Sequence, residues 1–280
     1  MRSSSASKRS AFFLCLAFIV LCAVVSAQQK NENRQRPLEL KVLTYNICGL
    51  PDYITSERNL ITPAKKRLRL IGDLIKGYDI IGLQEVFIPD RYIIERKLRN
   101  HFVARGTDSP KANPTGSGIY IFSKGEIRKS IYERWNKLYD FDAFSEKGFV
   151  GAVTTLPGSL DIDVYNLHGQ ASAGSEARIA NYKQLLNAVA RFSKGSGRPI
   201  LILGDFNCAI GEVECTWLLE HSNLKHANPA LVDVDNIFYS ENGSGWKITV
   251  VSAKYVFNEK VNGKRISDHF GLEAVFRFER

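Results

Sequence analysis

The chain has 280 residues, of which 44% are hydrophobic, and it carries a formal net charge of +9. This composition supports a sizeable buried core in one large domain or two small ones. The cations are spread along the sequence, which excludes a basic arm of the type that binds nucleic acid, although the surplus suits an anionic surface.

The N-terminal segment has the pattern of a secretory signal peptide. Three cations precede the continuous apolar stretch 11–25, and a small-x-small cleavage pattern ends at Ala27. The apolar stretch is shorter than the about 20 residues that span a bilayer, which weighs against the alternative of a membrane anchor. We therefore expect a signal peptide over residues 1–27, a polar linker over 28–37, and secretion after cleavage near Ala27. No later segment predicts a transmembrane span.

Hydrophobic periodicity predicts alternating strands and helices over residues 38–280. The predicted strands cover 38–47, 79–83, 118–123, 148–155, 160–167, 200–203, 232–239, 246–256 and 270–278. The predicted helices cover the stretch from Thr62-Pro63 to Gly77, then 90–100, 175–194 and 212–221. Together these elements predict one mixed α/β domain, with strands grouped in sheets and helices on their outer faces.

The first predicted helix has a clear start and a clear apolar stripe. Thr62 is expected to cap it through its hydroxyl, with Pro63 in the first turn. Its predicted buried side chains are Leu68, Ile71, Leu74 and Ile75.

Two polar residues, Asp205 and Asn207, follow the most apolar predicted strand. Gly204 is expected to end that strand, because glycine allows the chain to turn. Residues two apart on an extended backbone point the same way, so the carboxylate and the carboxamide can face one ligand. The alternative is an Asx turn that closes a core strand.

Other predicted strands also end beside acid, amide or imidazole groups, namely Asn46, Glu85, His168 and the pair Asp268-His269. Oxygen donors without a cysteine-histidine cluster favour magnesium or calcium over zinc. The two histidines suit proton transfer. Each residue alone is compatible with a solvated cap after a strand, a turn or a structural histidine, but the joint pattern indicates a site for phosphodiester hydrolysis.

Six motifs occur in the order found in the endonuclease/exonuclease/phosphatase superfamily, which the chain resembles. They are Thr44-Tyr-Asn46, Gln84-Glu-Val86, Asn166-Leu-His168, Gly204-Asp-Phe-Asn207, Val234-Asp235-Asn-Ile-Phe238 and Ser267-Asp-His269. The resemblance covers almost the whole chain after the signal peptide. It implies a four-layered α/β sandwich of the DNase I-like type, with two packed mixed β-sheets flanked by helices. It also implies magnesium-dependent attack of water on a phosphoester, with Mn²⁺ or Co²⁺ as substitutes.

The resemblance also implies a metal site. By this comparison Glu85 is the principal metal ligand, and Asn46 assists it through its carbonyl oxygen. Asp268 is either a ligand for a second metal ion or a structural strut.

The catalytic roles follow from the same resemblance. His269 corresponds to the catalytic base, and Asp235 occupies the position that orients it. Asp205 and Asn207 fall where the family contacts the phosphate and the water or metal. His168 falls where the family stabilises the phosphate or protonates the leaving group.

Three further segments, 45–51, 116–123 and 142–148, resemble secreted and neutral sphingomyelinases. Two departures count against other branches. Cys48 stands where apurinic-type endonucleases carry an acid, and Val234-Asp-Asn236 replaces a Trp-x-Asp-Arg segment of inositol-phosphate phosphatases. The resemblance therefore implies a phosphodiesterase of the sphingomyelinase C type that cleaves sphingomyelin to ceramide and phosphocholine.

Two alternative functions remain open at this level. One is a secreted deoxyribonuclease of the same superfamily, and the other is a non-catalytic membrane-binding toxin or effector that retains the fold. The expected partner is sphingomyelin or another choline phospholipid at a membrane surface rather than nucleic acid, and we expect a monomer. Trp246 is either an interfacial side chain at a hairpin tip or a core residue.

The mature chain would keep three cysteines, Cys48, Cys208 and Cys215, so at most one intramolecular disulfide can form. Removing the three signal-peptide cations lowers the formal net charge from +9 to +6. Cys48 is expected to point towards the candidate site, because it shares a strand face with Asn46. We therefore predict a disulfide between Cys208 and Cys215, which a short connection separates.

Overall fold

Two six-stranded mixed sheets form the centre of the computed structural model, which describes residues 37–108, 116–172, 174–227 and 229–280. The predicted signal peptide and the predicted linker up to residue 36 lie outside the described residues. The strands described here belong to one compact unit, Leu38–Phe278. Within the described part of the chain, no helix has the length and apolar character needed to cross a bilayer.

The first sheet has the order β11-β12-β1-β2-β4-β3. Its strands are β1 (Leu38–Asn46), β2 (Ile80–Gln84), β3 (Phe102–Arg105), β4 (Tyr120–Ser123), β11 (Lys247–Val256) and β12 (Gly271–Glu279). The second sheet has the order β5-β6-β7-β8-β10-β9. Its strands are β5 (Glu126–Arg134), β6 (Gly148–Leu156), β7 (Leu160–His168), β8 (Ile200–Asp205), β9 (Lys225–His226) and β10 (Asp235–Ser240).

Helices cover the outer faces of both sheets. They are α1 (Asp52–Glu57), α2 (Ala64–Ile75), α3 (Tyr92–Lys97), α4 (Ser175–Phe192) and α5 (Val213–Glu220). Short 3₁₀ turns occur at Pro89–Arg91, Asp140–Phe144 and Pro157–Ser159.

The two sheets repeat one pattern of strand pairing. β1 runs parallel to β2, and β12 lies antiparallel on the other side of β1. In the second sheet β7 runs parallel to β8, and β10 lies antiparallel on the other side of β8. The carboxyl ends of the parallel pairs therefore meet the amino ends of the antiparallel strands at one edge of each sheet. The polar motifs of the sequence lie at these edges.

The core is divided into three layers by the alternation of side chains along each strand. Val42 of β1 packs between the sheets with Val164 and Leu201, whereas its neighbour Leu43 packs outwards. On the outer side of the first sheet, α2 and α3 contribute Leu68, Ile71, Ile75, Ile93 and Ile94. On the outer side of the second sheet, α4 and α5 contribute Tyr182, Leu185 and Cys215. This arrangement confirms the predicted four-layered α/β sandwich.

The ends and faces of some elements differ from the sequence prediction. α2 begins one residue later than expected. Pro63 is its N-cap residue, and Thr62 makes no side-chain cap. Leu74 is 41% exposed, whereas the other three predicted positions of the α2 stripe are buried. The α1 helix and the edge strands β3 and β5 were not predicted, since their residues are mostly exposed or half-buried and give weak periodicity.

Gly204 does not end its strand. It lies inside β8, where a Cβ atom would overlap the Leu167 carbonyl oxygen of β7. The glycine is therefore required by the close approach of two parallel strands rather than by a turn.

The predicted disulfide is absent and Trp246 is a core residue. Cys48, Cys208 and Cys215 are buried free thiols, and the Cys215 thiol is directed at the Cys208 carbonyl oxygen, 3.4 Å away. Trp246 packs in the apolar layer between the sheets, which leaves its indole unavailable for insertion into a membrane.

Candidate active site

Three of the predicted site residues are neighbours across the second sheet. His168 at the end of β7 is the register partner of Asp205 at the end of β8. Asp205 in turn is paired with Asp235, the first residue of β10. Strand pairing alone therefore brings an imidazole and two carboxylates to one edge, where all three are buried.

The first sheet supplies a second set from the ends of β1 and β2. Asn46 is the register partner of Gln84, and Glu85 follows directly. Glu85 has a left-handed backbone with a φ of 56°, which is uncommon for a residue with a side chain. Its carbonyl accepts the backbone N–H of Gly49 at 2.8 Å, and a Cβ at position 49 would overlap that carbonyl. The glycine in the Cys48-Gly-Leu-Pro51 motif thus fixes the residue that carries the principal carboxylate.

The Asn46 side chain connects the two sets. Its Nδ2 donates to Glu85 Oε1 at 3.1 Å and to Asp205 Oδ2 at 3.0 Å. Its Oδ1 accepts the backbone N–H of Cys48 at 3.0 Å. The carbonyl oxygen expected to ligate a metal is therefore engaged by the backbone, and the amide nitrogen faces the carboxylates instead. Ligation through Oδ1 would require rotation of the carboxamide.

His269 reaches the same space from the start of β12. Its Nδ1 lies 2.7 Å from Asp235 Oδ2, and its Nε2 lies 3.8 Å from Asp205 Oδ2. Burial works against the charged imidazole, but Asp235, Asp205 and Asp268 outweigh it and raise the pKa of His269. The preceding Ser267 hydroxyl donates to the Asn46 carbonyl at 2.7 Å, which ties the start of β12 to the end of β1.

His168 is buried at the centre of the cluster. Its Nε2 lies 3.4 Å from Asp205 Oδ2 and 4.0 Å from Glu85 Oε1. Burial lowers the pKa of His168 well below its ordinary value, and the positive charge of Lys147 acts in the same direction. The Trp135 indole donates to the His168 carbonyl at 2.7 Å and so fixes the backbone of this residue.

Asp205 forms the Asx turn with Asn207 and also faces the candidate site, so the two alternatives considered for this motif occur together. Asp205 Oδ1 accepts the backbone N–H of Asn207 at 2.9 Å, which is the Asx turn. Asp205 Oδ2 faces Asn46 and the two histidines. Asn207 lies at the rim, where its Nδ2 donates to the Gly169 carbonyl at 3.1 Å.

Residues 43–269 match the Endonuclease/Exonuclease/phosphatase family. The chain belongs to this family. A sphingomyelinase of Mycobacterium tuberculosis is 26% identical over 269 residues, which cover 86% of this chain and 53% of that protein. The chain thus spans about half the length of this curated relative.

Two solved structures share the fold of this chain. A beta toxin variant of Staphylococcus aureus with bound magnesium ions has a TM-score of 0.67 and 18% identity, covering 85% of this chain and 99% of the toxin. Sphingomyelinase C of Streptomyces griseocarneus has a TM-score of 0.65 and 20% identity, with 85% and 99% coverage. At these identities the likeness shows the DNase I-like fold alone.

The carboxylate oxygens at Glu85 are suited to hold a divalent cation. Glu85 Oε2 is buried and has no hydrogen-bond partner among the described residues. Burial raises the pKa of Glu85, although the charge of Lys147 opposes this. A buried carboxylate with an unpaired oxygen is costly unless a cation balances its charge. Glu85 is therefore the residue suited to hold the metal ion, and Asp205 is the second carboxylate bonded to the Asn46 amide.

Asp268 is held as part of an ion pair with Arg58, the residue that follows α1. Arg58 also approaches the Cys48 sulfur at 3.7 Å, so it bridges two segments that border the site. This contact favours the strut over the metal ligand of the two roles considered for Asp268. Sequence analysis missed Arg58, because a single arginine at an exposed helix end has no distinguishing pattern.

A second cation, Lys147, lies in the segment 142–148 and was not assigned to the site from the sequence. Its Nζ forms a buried ion pair with Asp142 Oδ1 at 2.6 Å. Its charge influences the pKa values of both Glu85 and His168. The sphingomyelinase-like segment 142–148 therefore contributes directly to the electrostatics of the site.

Proposed function

We propose that this protein is a secreted, magnesium-dependent phosphodiesterase that hydrolyses sphingomyelin to ceramide and phosphocholine. The observation that carries the proposal is the position of Lys147. The segment 142–148, which resembles sphingomyelinases, places this buried cation where it acts on Glu85 and His168. The similarity to a mycobacterial sphingomyelinase over 86% of the chain supports the same substrate class.

Water activation is assigned to His269. In its neutral form His269 donates Nδ1–H to Asp235 Oδ2 across 2.7 Å, which leaves Nε2 as the proton acceptor. Nε2 faces Asp205 Oδ2 at 3.8 Å, so a water between them would be held by one acceptor and deprotonated by the other. This is the geometry that a general base requires.

Charge on the phosphate is balanced by groups at the same edge. A divalent cation held by Glu85 would polarise a phosphate oxygen and stabilise the charge that develops on it. The Asn207 carboxamide and the His168 imidazole offer N–H donors that can bind phosphate oxygens directly, whereas both N–H groups of Asn46 are engaged by Glu85 and Asp205. These groups are fixed by the strand ends, so they need little rearrangement during the reaction.

The net reaction consumes one water molecule. The water oxygen forms a bond to phosphorus while the bond between phosphorus and the ceramide oxygen breaks. The water proton passes to Nε2 of His269 and is then released to solvent, and the departing ceramide oxygen takes up a proton from solvent, so that no net proton is gained or lost. Phosphocholine and ceramide are the products.

The test compares two substrates with the purified mature chain. We expect release of phosphocholine from sphingomyelin in the presence of magnesium, loss of release in excess chelator, and loss in His269→Ala. Plasmid DNA serves as the competing substrate. Efficient nicking of DNA without turnover of sphingomyelin would instead identify a deoxyribonuclease, and inactivity on both would contradict a catalytic role.

A further inference from the structure

Exposed aromatic side chains cluster on the 3₁₀ turn Asp140–Phe144 and the residue before it. Phe141 is 90% exposed, Phe144 is 66% exposed and Tyr139 is 41% exposed. Among the described residues, Phe141 has the highest exposure of any large hydrophobic side chain. Clustered exposed apolar side chains indicate an interaction surface rather than a solvated loop.

Polar contacts fix this turn to the rim of the active site. Asp142, in the middle of the turn, is buried and paired with Lys147 at 2.6 Å. Gln170 exchanges two hydrogen bonds with the Tyr139 backbone, at 2.8 and 3.2 Å. Gln170 lies two residues after His168, so these contacts attach the turn to the segment that carries a catalytic histidine.

The size of the cluster favours a bilayer over a protein partner. A stable protein interface buries about 800 Å² on each partner and involves about 20–30 residues a side. A single turn with two phenylalanines is much smaller than that. Membrane interfaces, in contrast, are bound by a few aromatic anchors at the level of the headgroups.

The charge of the segment indicates the type of bilayer. Residues 137–147 contain two aspartates, one glutamate and two lysines, a net charge of −1, and Asp142 is neutralised by its ion pair with Lys147. Anionic lipids attract basic segments, so a segment with exposed phenylalanines and no positive net charge suits a zwitterionic surface.

We propose that Phe141 and Phe144 insert into the headgroup region of a zwitterionic choline-lipid bilayer and hold the active site against it. This inference rests on the proposed function, because the phosphodiester of sphingomyelin lies at that depth. Insertion of the turn would place the Asp142–Lys147 pair, and with it the catalytic edge, next to the scissile bond. The enzyme would then hydrolyse lipid from the membrane without extracting it.

The first test measures binding to vesicles of sphingomyelin and phosphatidylcholine in chelator, where no turnover occurs. We expect the double variant Phe141→Ala/Phe144→Ala to bind at least about tenfold more weakly than the native chain. Phe102→Ala is the matched control, since Phe102 is exposed but pairs with Ser123 at the end of β4 remote from the site. Unchanged binding of the double variant, or failure of the native chain to bind, would overturn the proposal.

A second measurement reports insertion directly. Phe144→Trp should show a blue-shifted emission on vesicles beyond that of the native chain, together with quenching by brominated phosphatidylcholine. Because Phe144 is largely exposed, this variant should melt at the native temperature. An emission that stays unchanged on vesicles would place the ring in water and contradict insertion.

Turnover separates docking from the proposed activity. We expect the ratio of vesicle turnover to turnover of monomeric short-chain sphingomyelin to fall about tenfold in the double variant. An equal loss on both substrates would show that the turn supports the site itself, which would overturn the docking role.

Vesicle binding that depends on the two phenylalanines, in a native chain that hydrolyses neither substrate, would refute the activity and keep the docking surface. Gel filtration that shows a dimer lost in the double variant would assign the surface to a second copy instead.

Discussion

The side-chain amide of Gln84 donates to Asn166 Oδ1 at 2.6 Å and so joins the first sheet to the second. Asn166 Nδ2 donates back to the carbonyls of Leu83 and Tyr120 at 2.9 and 2.8 Å. All the polar atoms in this clamp lie in the interior, directly behind Glu85 and His168. A Cβ atom at Gly82 would overlap the Asn166 side chain, so the glycine makes room for the clamp.

Asn166→Ala should destabilise the protein, because it leaves the Leu83 and Tyr120 carbonyls without this donor and leaves Gln84 Nε2 with the Thr44 hydroxyl alone as acceptor. Each unsatisfied buried group costs about 1–3 kcal/mol, so we expect the free energy of unfolding in urea to fall by about 3 kcal/mol or more. Asn187→Ala on the exposed face of α4 is the control, with an expected change within about 0.5 kcal/mol. Equal urea midpoints for the two variants would show that the clamp does not hold the sheets together.

Glu85→Gln should separate metal dependence from folding. We expect turnover at millimolar magnesium to fall more than about 100-fold, because the variant lacks the negative charge that holds the cation. The metal-free variant should unfold at or above the native temperature, since the removed carboxylate oxygen is buried without a partner. Addition of magnesium should raise the melting temperature of the native chain but not of the variant. The exposed Glu57→Gln is the matched control, and a magnesium shift that persists in Glu85→Gln would place the metal elsewhere.

His269 and Asp235 should behave as one unit. His269→Ala is expected to lower turnover by about 10²–10⁴-fold, the usual contribution of a positioned general base. Asp235→Asn should cost less, and the double variant should be no worse than His269→Ala, because the aspartate acts only through the imidazole. Melting temperatures are measured on the same samples. A destabilised His269→Ala that keeps its turnover per folded molecule would show a purely structural histidine.

Glu273 provides a stability change that depends on pH. Burial raises its pKa, but hydrogen bonding from Tyr78 at 2.7 Å and from Lys41 at 3.0 Å outweighs this and lowers the pKa. The contribution of Glu273 to stability is therefore complete above the pKa of an unfolded glutamate, about 4.3, and is lost as pH falls towards the lower folded pKa.

Glu273→Gln should therefore lower the free energy of unfolding by about 1.5–3 kcal/mol at pH 7, and the difference from the native chain should shrink below pH 4. Glu39→Gln removes a half-exposed partner of Arg277 in the same sheet, and we expect it to cost less than about 1 kcal/mol. Urea titrations at pH 7 and near pH 3 check both variants. A difference for Glu273→Gln that grows on acidification would contradict the assigned direction.

The sequence predicts which polar residues come together where these residues follow strand ends. Buried parallel strands such as β8 consist of continuous apolar residues, so the polar residues that follow, such as Asp205, are conspicuous. The order of the six motifs, which matches that of the superfamily, then indicates which strand ends contribute to one site. The sequence does not reveal that His269 and Asn46, from opposite ends of the chain, become neighbours through the pairing of β12 with β1.

Other features depend on contacts that leave no local pattern. Arg58 is one exposed arginine among many, and only its pairing with Asp268 distinguishes it. The predicted disulfide was wrong because spacing gives no information about direction: α5 turns the Cys215 thiol towards the backbone of Cys208. The orientation of the Asn46 carboxamide depends on the N–H of Cys48, a contact created by the turn after β1.

The candidate site is complete only when both sheets are folded, because each sheet contributes some of its groups. Glu85 and His269 come from the first sheet, and His168, Asp205 and Asp235 from the second, so an intermediate with one folded sheet would lack two or three of these five groups. Contacts between distant parts of the chain form late in folding, because closing long loops is entropically costly. Activity should therefore appear only with the last stage of refolding, because a partly folded chain would lack a complete set of catalytic groups.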